Sequence, residues 1–577
     1  ARLSILRGGF TRQAAQRITG ASLRGLGKLT SKSHLQYDRD RDRYQIHELL
    51  RQYGAEKLAK NVEVEAAVCD RHSAYYTDLL HLREALLKGP KQLTALAEIE
   101  ADFENVRSAW DWAMQQQQTG WIERGLESLS RFYEWYGRYQ EGAATFRRGA
   151  ELLATIDQPL LLARILIKQA TFDRVLGNIA TAESLLQQSQ RLIAEPVLVQ
   201  QETRHEQAAI WQGLAGLATH ASQSQTARDH YDRSLALYQE VGDRWAVARV
   251  LLEMSYLTRN FSRFPHAQDY RNQLEATKRL VLDSTAIFRE FGDRAGVAGG
   301  LFQLGGTFLF LGQFAEAQTV LKESVAIHKE LGLKSGLILA TAHLANTNAL
   351  LGLHEQAVVE GQFALDLARE IAYPAGIHMG LGTAIWAAMR RGDYHEAQRF
   401  AQENIALNQM RGEQRELAYS LAFLGIACRD LGNTVQARQQ LVKALEISIG
   451  TRAVGPLFFC LALANYLLVD AGKYVQAAEL DALRATYPVS GSRMMHLPPI
   501  FPALAPLPAN IRAAAQARGR KFDLWATAQV LLAEFSTDDN VGHPLPTEAL
   551  PLPRSLPARQ QFAVAHNLSP QPTPFIG

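Results

Sequence analysis

The hexapeptides GQFAEA at 312–317, GLHEQA at 352–357, GDYHEA at 392–397, GNTVQA at 432–437 and GKYVQA at 472–477 follow one another at intervals of 40 residues. Copies in such strict register define a repeated unit, and a period of this length belongs to stacked supersecondary elements. Weaker copies carry the array toward the N-terminus: SRFPHA at 262–267, SQSQTA at 222–227, GNIATA at 177–182 and GRYQEG at 137–142, which gives about nine units. The interval slips twice. Five additional residues around Pro196 fall in a connection, and about ten between Ala267 and Leu282 should lengthen a helix by nearly three turns.

Within a unit, Leu301, Leu304 and Phe308 share one 3.6-residue face, Gly312 ends that helix, and Ala317, Leu321 and Val325 begin the stripe of the next. Alanine at the last motif position lets the paired helices approach, and Phe314, Tyr394 or Tyr474 fills the gap between them. A second marker, glycine at Gly242, Gly292, Gly332 and Gly412, closes each second helix. This packing logic resembles the tetratricopeptide repeat in a 40-residue form. The sequence therefore predicts an all-α fold, a tetratricopeptide-like α-solenoid over 122–487, reached through a helical connector over 61–121. A helical cap at 488–535 and a proline-rich linker at 536–577 follow, since 14 of the 20 prolines lie after residue 487.

Composition agrees with an array of this size. The 577 residues exceed one core, and 47% hydrophobic with 21% charged residues excludes a largely disordered or fibrous chain. The longest apolar stretch, 457–469, is too short to span a bilayer and contains Asn465, and the N-terminus has no apolar signal core. A soluble, cytoplasmic protein with no membrane partner is expected. Cys69, Cys428 and Cys460 have no metal-ligand spacing, so buried free thiols are expected rather than a zinc site or disulfides.

Charge is uneven: residues 1–60 carry +8, the remainder −5. In this segment Thr11 opens one helix, Ser22 a second, short strands surround Leu35 and Tyr44 with DRDRD at 38–42 as the hairpin tip, and a last helix runs from about His47 to Lys60 with Leu49, Leu50, Tyr53 and Leu58 as its apolar contacts. Helix, helix, hairpin and helix predict a winged-helix domain at 1–60. The stretches ARLSILRGGFTRQAA, LTSKSHLQ and YQIHELLRQYGAEKL resemble the winged-helix region of STAND-type signal-transduction ATPases, the group that includes the NB-ARC regulators. In that family a histidine of an MHD-like motif opens the last helix and contacts the β-phosphate of ADP. Here the matching triplet is Ile46-His47-Glu48, so the resemblance implies nucleotide sensing at His47, with ATP or ADP bound in a nucleotide-binding domain that this chain lacks. The triplet departs from the pattern at its first and third positions, which leaves the nucleotide contact resting on His47 alone. HNLSPQPTPFIG at 566–577 resembles the segment leading into that ATPase domain, and with Ala1 in place of a methionine both ends are expected to be cut from a longer polypeptide.

Catalytic motifs are not found. Gly25-Leu26-Gly27-Lys28-Leu29 lacks the upstream glycine and the hydroxyl of a phosphate loop, and His47-Glu48-Leu49-Leu50-Arg51 has arginine where a zincin has its second histidine. The chain is read as a non-enzyme with no cofactor and no metal of its own. Function is expected on the inner wall of the solenoid, where first-helix positions nominate Arg164, Thr171, Arg174, Gln212, Arg249, Tyr256 and Arg259, then Phe302, Asn346, Trp386, Tyr419, Arg429 and Tyr466. Arginines suit carboxylates or phosphates, and the aromatic residues suit stacking. The resulting expectation is the sensor and regulatory region of a STAND-type protein. It would bind a protein, peptide or small inducer in the concave groove, and pass the signal through the winged helix to the intramolecular ATPase domain. The alternatives are a winged-helix DNA-binding regulator with a repeat arm, using Arg24 and Lys28 on phosphates, and a passive interaction scaffold.

Overall fold

The computed structural model describes residues 1–198, 201–261, 266–487 and 504–536. Among them, nine consecutive antiparallel helix pairs run from Thr119–Trp135 with Tyr139–Leu153 to Val454–Asp470 with Tyr474–Thr486. The described residues are all-α apart from one small hairpin, and the pairs stack as a tetratricopeptide-like solenoid. The turn glycine works as the sequence indicates: Gly312 stands at φ +76°, its N–H donates to Leu309 O at 3.1 Å, and the N–H of Gln313 donates to Phe308 O at 2.9 Å. The motif alanines Ala317, Ala397, Ala437 and Ala477 are completely buried.

A hydroxyl ladder fixes the register inside several pairs. Ser234 Oγ donates to Ala208 O and Ser324 Oγ to Ala298 O, both at 2.8 Å and both across 26 positions. Ser284 Oγ makes the same bond to Ala248 O at 2.7 Å across 36 positions. Eight of the ten extra residues lengthen Ala267–Phe291, a helix of 25 residues against 17 in Ser224–Glu240. The slip at Pro196 is a connection holding the 3-10 turn Pro196–Leu198. Of the weak copy SRFPHA, positions 262–265 lie outside the described residues, as do 488–503 and the whole 537–577 segment.

The apolar stretch at 457–469 belongs to Val454–Asp470, in which every residue from Val454 to Val469 is buried by neighbouring repeats. No helix among the described residues is long and apolar enough to cross a membrane. The three cysteines are free and buried. Helices Ala509–Gly519 and Leu524–Ser536 cover the last repeats, packing on Tyr474–Thr486 and Thr434–Thr451 respectively.

At the N-terminus, Arg12–Thr19 is capped by Thr11 and Leu23–Ser31 by Ser22. Gln36–Asp38 pairs antiparallel with Arg43–Gln45, and Phe10 adds a bridge to Tyr44. Asn105 holds this segment to the connector helix Phe103–Gln115 by accepting from Arg7 N at 2.7 Å and donating to Arg7 O and Gly9 O. One expectation is corrected. In Glu48–Ala59 the inward stripe is Arg51, Gly54, Ala55 and Leu58, whereas Leu49 is 69% exposed, Tyr53 58% and Leu50 also exposed. The small side chains of Gly54 and Ala55 let this face lie close on the first turn Arg2–Ile5, which rotates the larger apolar residues outward.

Candidate functional site

The repeats coil tightly enough that first helices five units apart touch: Thr119–Trp135 meets Lys334–Leu350, and Pro159–Leu176 meets Pro374–Arg391. Gln92, ahead of the array, donates to Asp293 Oδ1 at 2.8 Å and accepts from Ala295 N at 2.9 Å. Tyr139 stacks on Tyr373 with centroids 5.4 Å apart, and Arg411 Nη1 donates to Val175 O at 3.3 Å. The inner wall therefore lines a half-open cavity of about 1140 Å³ inside the superhelix. A smaller cavity of about 450 Å³ adjoins it, with Arg174 and Glu253 in both walls.

Of the nominated residues, Arg174, Tyr256, Arg259, Phe302, Asn346, Trp386 and Tyr419 line the larger cavity. Arg164, Thr171, Gln212 and Arg249 line the smaller one with Arg174. Several are already engaged. Arg164 pairs with Glu123 and, at 2.7 Å, with Glu206; Thr171 donates to Ile167 O on its own helix; Gln212 donates to Glu253 at 2.8 Å. Arg249 lies over the Trp245 ring at 5.3 Å, Phe302 meets His343 edge-on at 4.7 Å, and Asn346 accepts from Thr383 at 3.2 Å. Trp386 and Tyr419 form an aromatic wall with Phe423 and Phe459. Arg429 and Tyr466 border neither cavity. Arg429 makes a forked pair with Asp470 at 2.7 and 2.8 Å, reaches Asp430, and lies over Tyr466 in the packed end of the array. His47 is far from this in sequence, exposed at the N-cap of Glu48–Ala59, and makes no side-chain cap bond.

The sequence did not single out the polar cluster on the cavity wall. Arg415 Nη2 donates to Tyr256 OH at 2.7 Å, its Nη1 to Asn260 Oδ1 at 3.2 Å, and it pairs with its neighbour Glu416. Glu416 in turn lies 2.9 Å from His378 Nε2, while Glu413 lies 2.6 Å from Arg411 and 2.9 Å from His220. Burial works to raise the Glu416 carboxyl, but Arg415 and His378 outweigh it and hold it below its ordinary range. Burial likewise works to lower His378, yet the Glu416 charge raises it overall. The available signal was the run GEQRE at 412–416, with three charges where GLKSG at 332–336 carries one and AYPAG at 372–376 none.

No family model matches this chain, and no curated protein matches it. Solved structures do. A Rap protein complexed with competence and sporulation factor aligns over 64% of this chain and 98% of its own at 13% identity, with a TM-score of 0.46. A STAND protein with a tetratricopeptide repeat sensor from Pyrococcus horikoshii aligns over 77% of this chain at 16% identity and a TM-score of 0.44, and this chain spans 61% of its length. The apo quorum sensor NprR from B. thuringiensis aligns over 60% of this chain and 99% of its own, at 13% identity and a TM-score of 0.38.

Proposed function

We propose that this chain is a non-catalytic sensor region that captures a small molecule or short peptide inside its superhelix. The observation that carries the reading is the 1140 Å³ interior cavity, walled by aromatic and charged side chains from repeats far apart in sequence. That volume lies just above the usual range of ligand pockets, about 300–1000 Å³, and is too small for a folded domain. A ligand contacting Tyr256, Phe302 and Trp386 together would favour the closed coil over any looser one, which is the differential affinity a switch requires. The resemblance of residues 1–60 to a STAND winged helix supports a coupling role for that segment, with His47 reading ATP or ADP in a nucleotide-binding domain outside this chain. The exposed Leu49, Leu50 and Tyr53 beside His47 supply an apolar face for that domain.

Gly382 lines the cavity, and a Cβ there would meet nothing within 4 Å. Gly382→Trp should therefore obstruct the cavity while leaving thermal unfolding in place. Native mass spectrometry of protein purified from its own cells should show a bound small species that this variant lacks; equal occupancy in both would remove the cavity as the capture site. In the polypeptide that carries the nucleotide domain, His47→Ala should raise basal output, and unchanged output would refute the coupling. A DNA-binding reading draws on Arg24 and Lys28, both exposed on Leu23–Ser31. It requires duplex binding by the intact chain that weakens steeply with salt.

A further inference from the structure

Among the arginines of the cavity wall, Arg259 stands apart. Its relative exposure is 3%, yet no carboxylate pairs with it among the described residues. Its hydrogen bonds run from Nη1 to two neutral acceptors, Gln303 O at 3.0 Å and Gln303 Oε1 at 2.7 Å, and Nε has no partner. Arg411 and Arg415, on the same wall, each have an acid, Glu413 and Glu416. Arg259 is thus a buried guanidinium in surplus of the acids beside it, on a wall that also carries the less buried Arg174, Arg390 and Arg391 with Glu134, Glu253 and Glu355.

The surrounding groups register that surplus. Burial, with Arg415 adding repulsion, pushes Arg259 down to about 10 although Tyr256, Tyr270 and Tyr419 counteract it; the group remains a cation at neutral pH. His343, across the wall, is pushed down to about 3 by burial and by the Arg259 charge. A buried cation without a counter-charge is costly, and removing such a charge is commonly neutral or stabilising. The helix opposite even makes room for it: a Cβ at Gly306 would lie 2.8 Å from Arg259 Nη1, so a glycine is kept in mid-helix where alanine would be favoured by about 1 kcal/mol.

We propose that Arg259 is the anion-binding residue of the interior cavity and that the captured ligand is a monocarboxylate with a flat apolar body. Its acid completes the charge of Arg259, and its body lies against Tyr256, Phe302, Trp386 and Tyr419. The inference rests on the reading of this cavity as a capture site and adds what is captured.

The test uses the full chain, with 2-naphthoate, its uncharged counterpart 2-naphthamide, and inorganic phosphate at matched ionic strength, followed by calorimetry. The acid should bind about tenfold or more tightly than the amide, as expected of a charge-assisted pair. Phosphate should not displace it. Arg259→Met should abolish the preference and also raise the thermal midpoint of the ligand-free protein, an outcome that a merely structural arginine would reverse. Gly306→Ala, which keeps the charge but crowds the guanidinium, should weaken the acid without affecting the amide. Acid and amide binding alike, or a preference that survives Arg259→Met, overturns the carboxylate assignment and leaves capture by the cavity intact. Stronger binding of phosphate, or no binding of either naphthyl probe, also overturns it, and the Gly382→Trp experiment then judges the cavity on its own.

Discussion

Two buried side chains make opposite contributions that can be measured. Asn465 is completely buried in Val454–Asp470, and neither its Oδ1 nor its Nδ2 finds a partner. An unsatisfied buried amide costs about 1–3 kcal/mol, so Asn465→Leu, close in size, should stabilise the protein by about 1–2 kcal/mol in urea unfolding; a lower midpoint would mean that the amide has an essential role. His378 gains stability from Glu416. Its ionisation is raised above the ordinary 6.5 despite burial, so its contribution is complete below about that pH and is lost as pH rises through the raised value. Glu416, held low, stays ionised across this range. The unfolding midpoint should therefore fall between pH 6 and the mildly alkaline range, and His378→Asn should flatten this limb while lowering the midpoint at pH 6. A limb of unchanged slope in the variant would assign the effect to another group.

Individual elements show where periodicity is a sufficient guide and where it is not. The serine ladder reproduces the sequence arithmetic, because a helix pair keeps its register when ten residues are inserted into one partner: the 26-position bond simply becomes a 36-position bond. Helix Glu48–Ala59 behaves differently. Its apolar residues can satisfy either of two faces, and small residues at Gly54 and Ala55 decide the choice by allowing close approach. Because Leu49 and Tyr53 face solvent, Leu49→Glu with Tyr53→Glu should change unfolding by no more than about 0.5 kcal/mol. In the polypeptide bearing the nucleotide domain the same pair should uncouple ligand from output. A large loss of stability in this chain alone would instead show that the two side chains are core residues.

At the scale of the whole molecule the decisive event is closure of the coil. Gln92 joins the connector to Asp293 and Ala295 across about two hundred positions, and its side chain is completely buried. Gln92→Leu keeps the volume and leaves the buried Ala295 N–H without its acceptor, while Asp293 keeps its bonds from Gly296 N and Trp245 Nε1, at an expected cost of about 1–3 kcal/mol. Small-angle scattering should then report a larger radius of gyration, and hydrogen exchange should accelerate around Ala295. An unchanged radius with unchanged exchange would show that the Tyr139–Tyr373 stack and Arg411 suffice to hold successive turns together.

The period, the paired helices, their turn glycines and the lengthened helix at Ala267–Phe291 were legible in the sequence, because each depends on interactions within a few tens of residues. The inner-wall positions followed from the same register, which is why seven nominated residues share one cavity. What each of them meets was not legible. Arg164 and Arg429 are matched by acids from adjacent helices, whereas Arg259 is left without one, and nothing local distinguishes them. The pitch of the superhelix is the sum of many small rotations between units, none of which is encoded by a single residue. Only the folded coil brings repeats five units apart into contact, gathers their inner-wall residues around one cavity, and decides which buried arginine has an acid beside it.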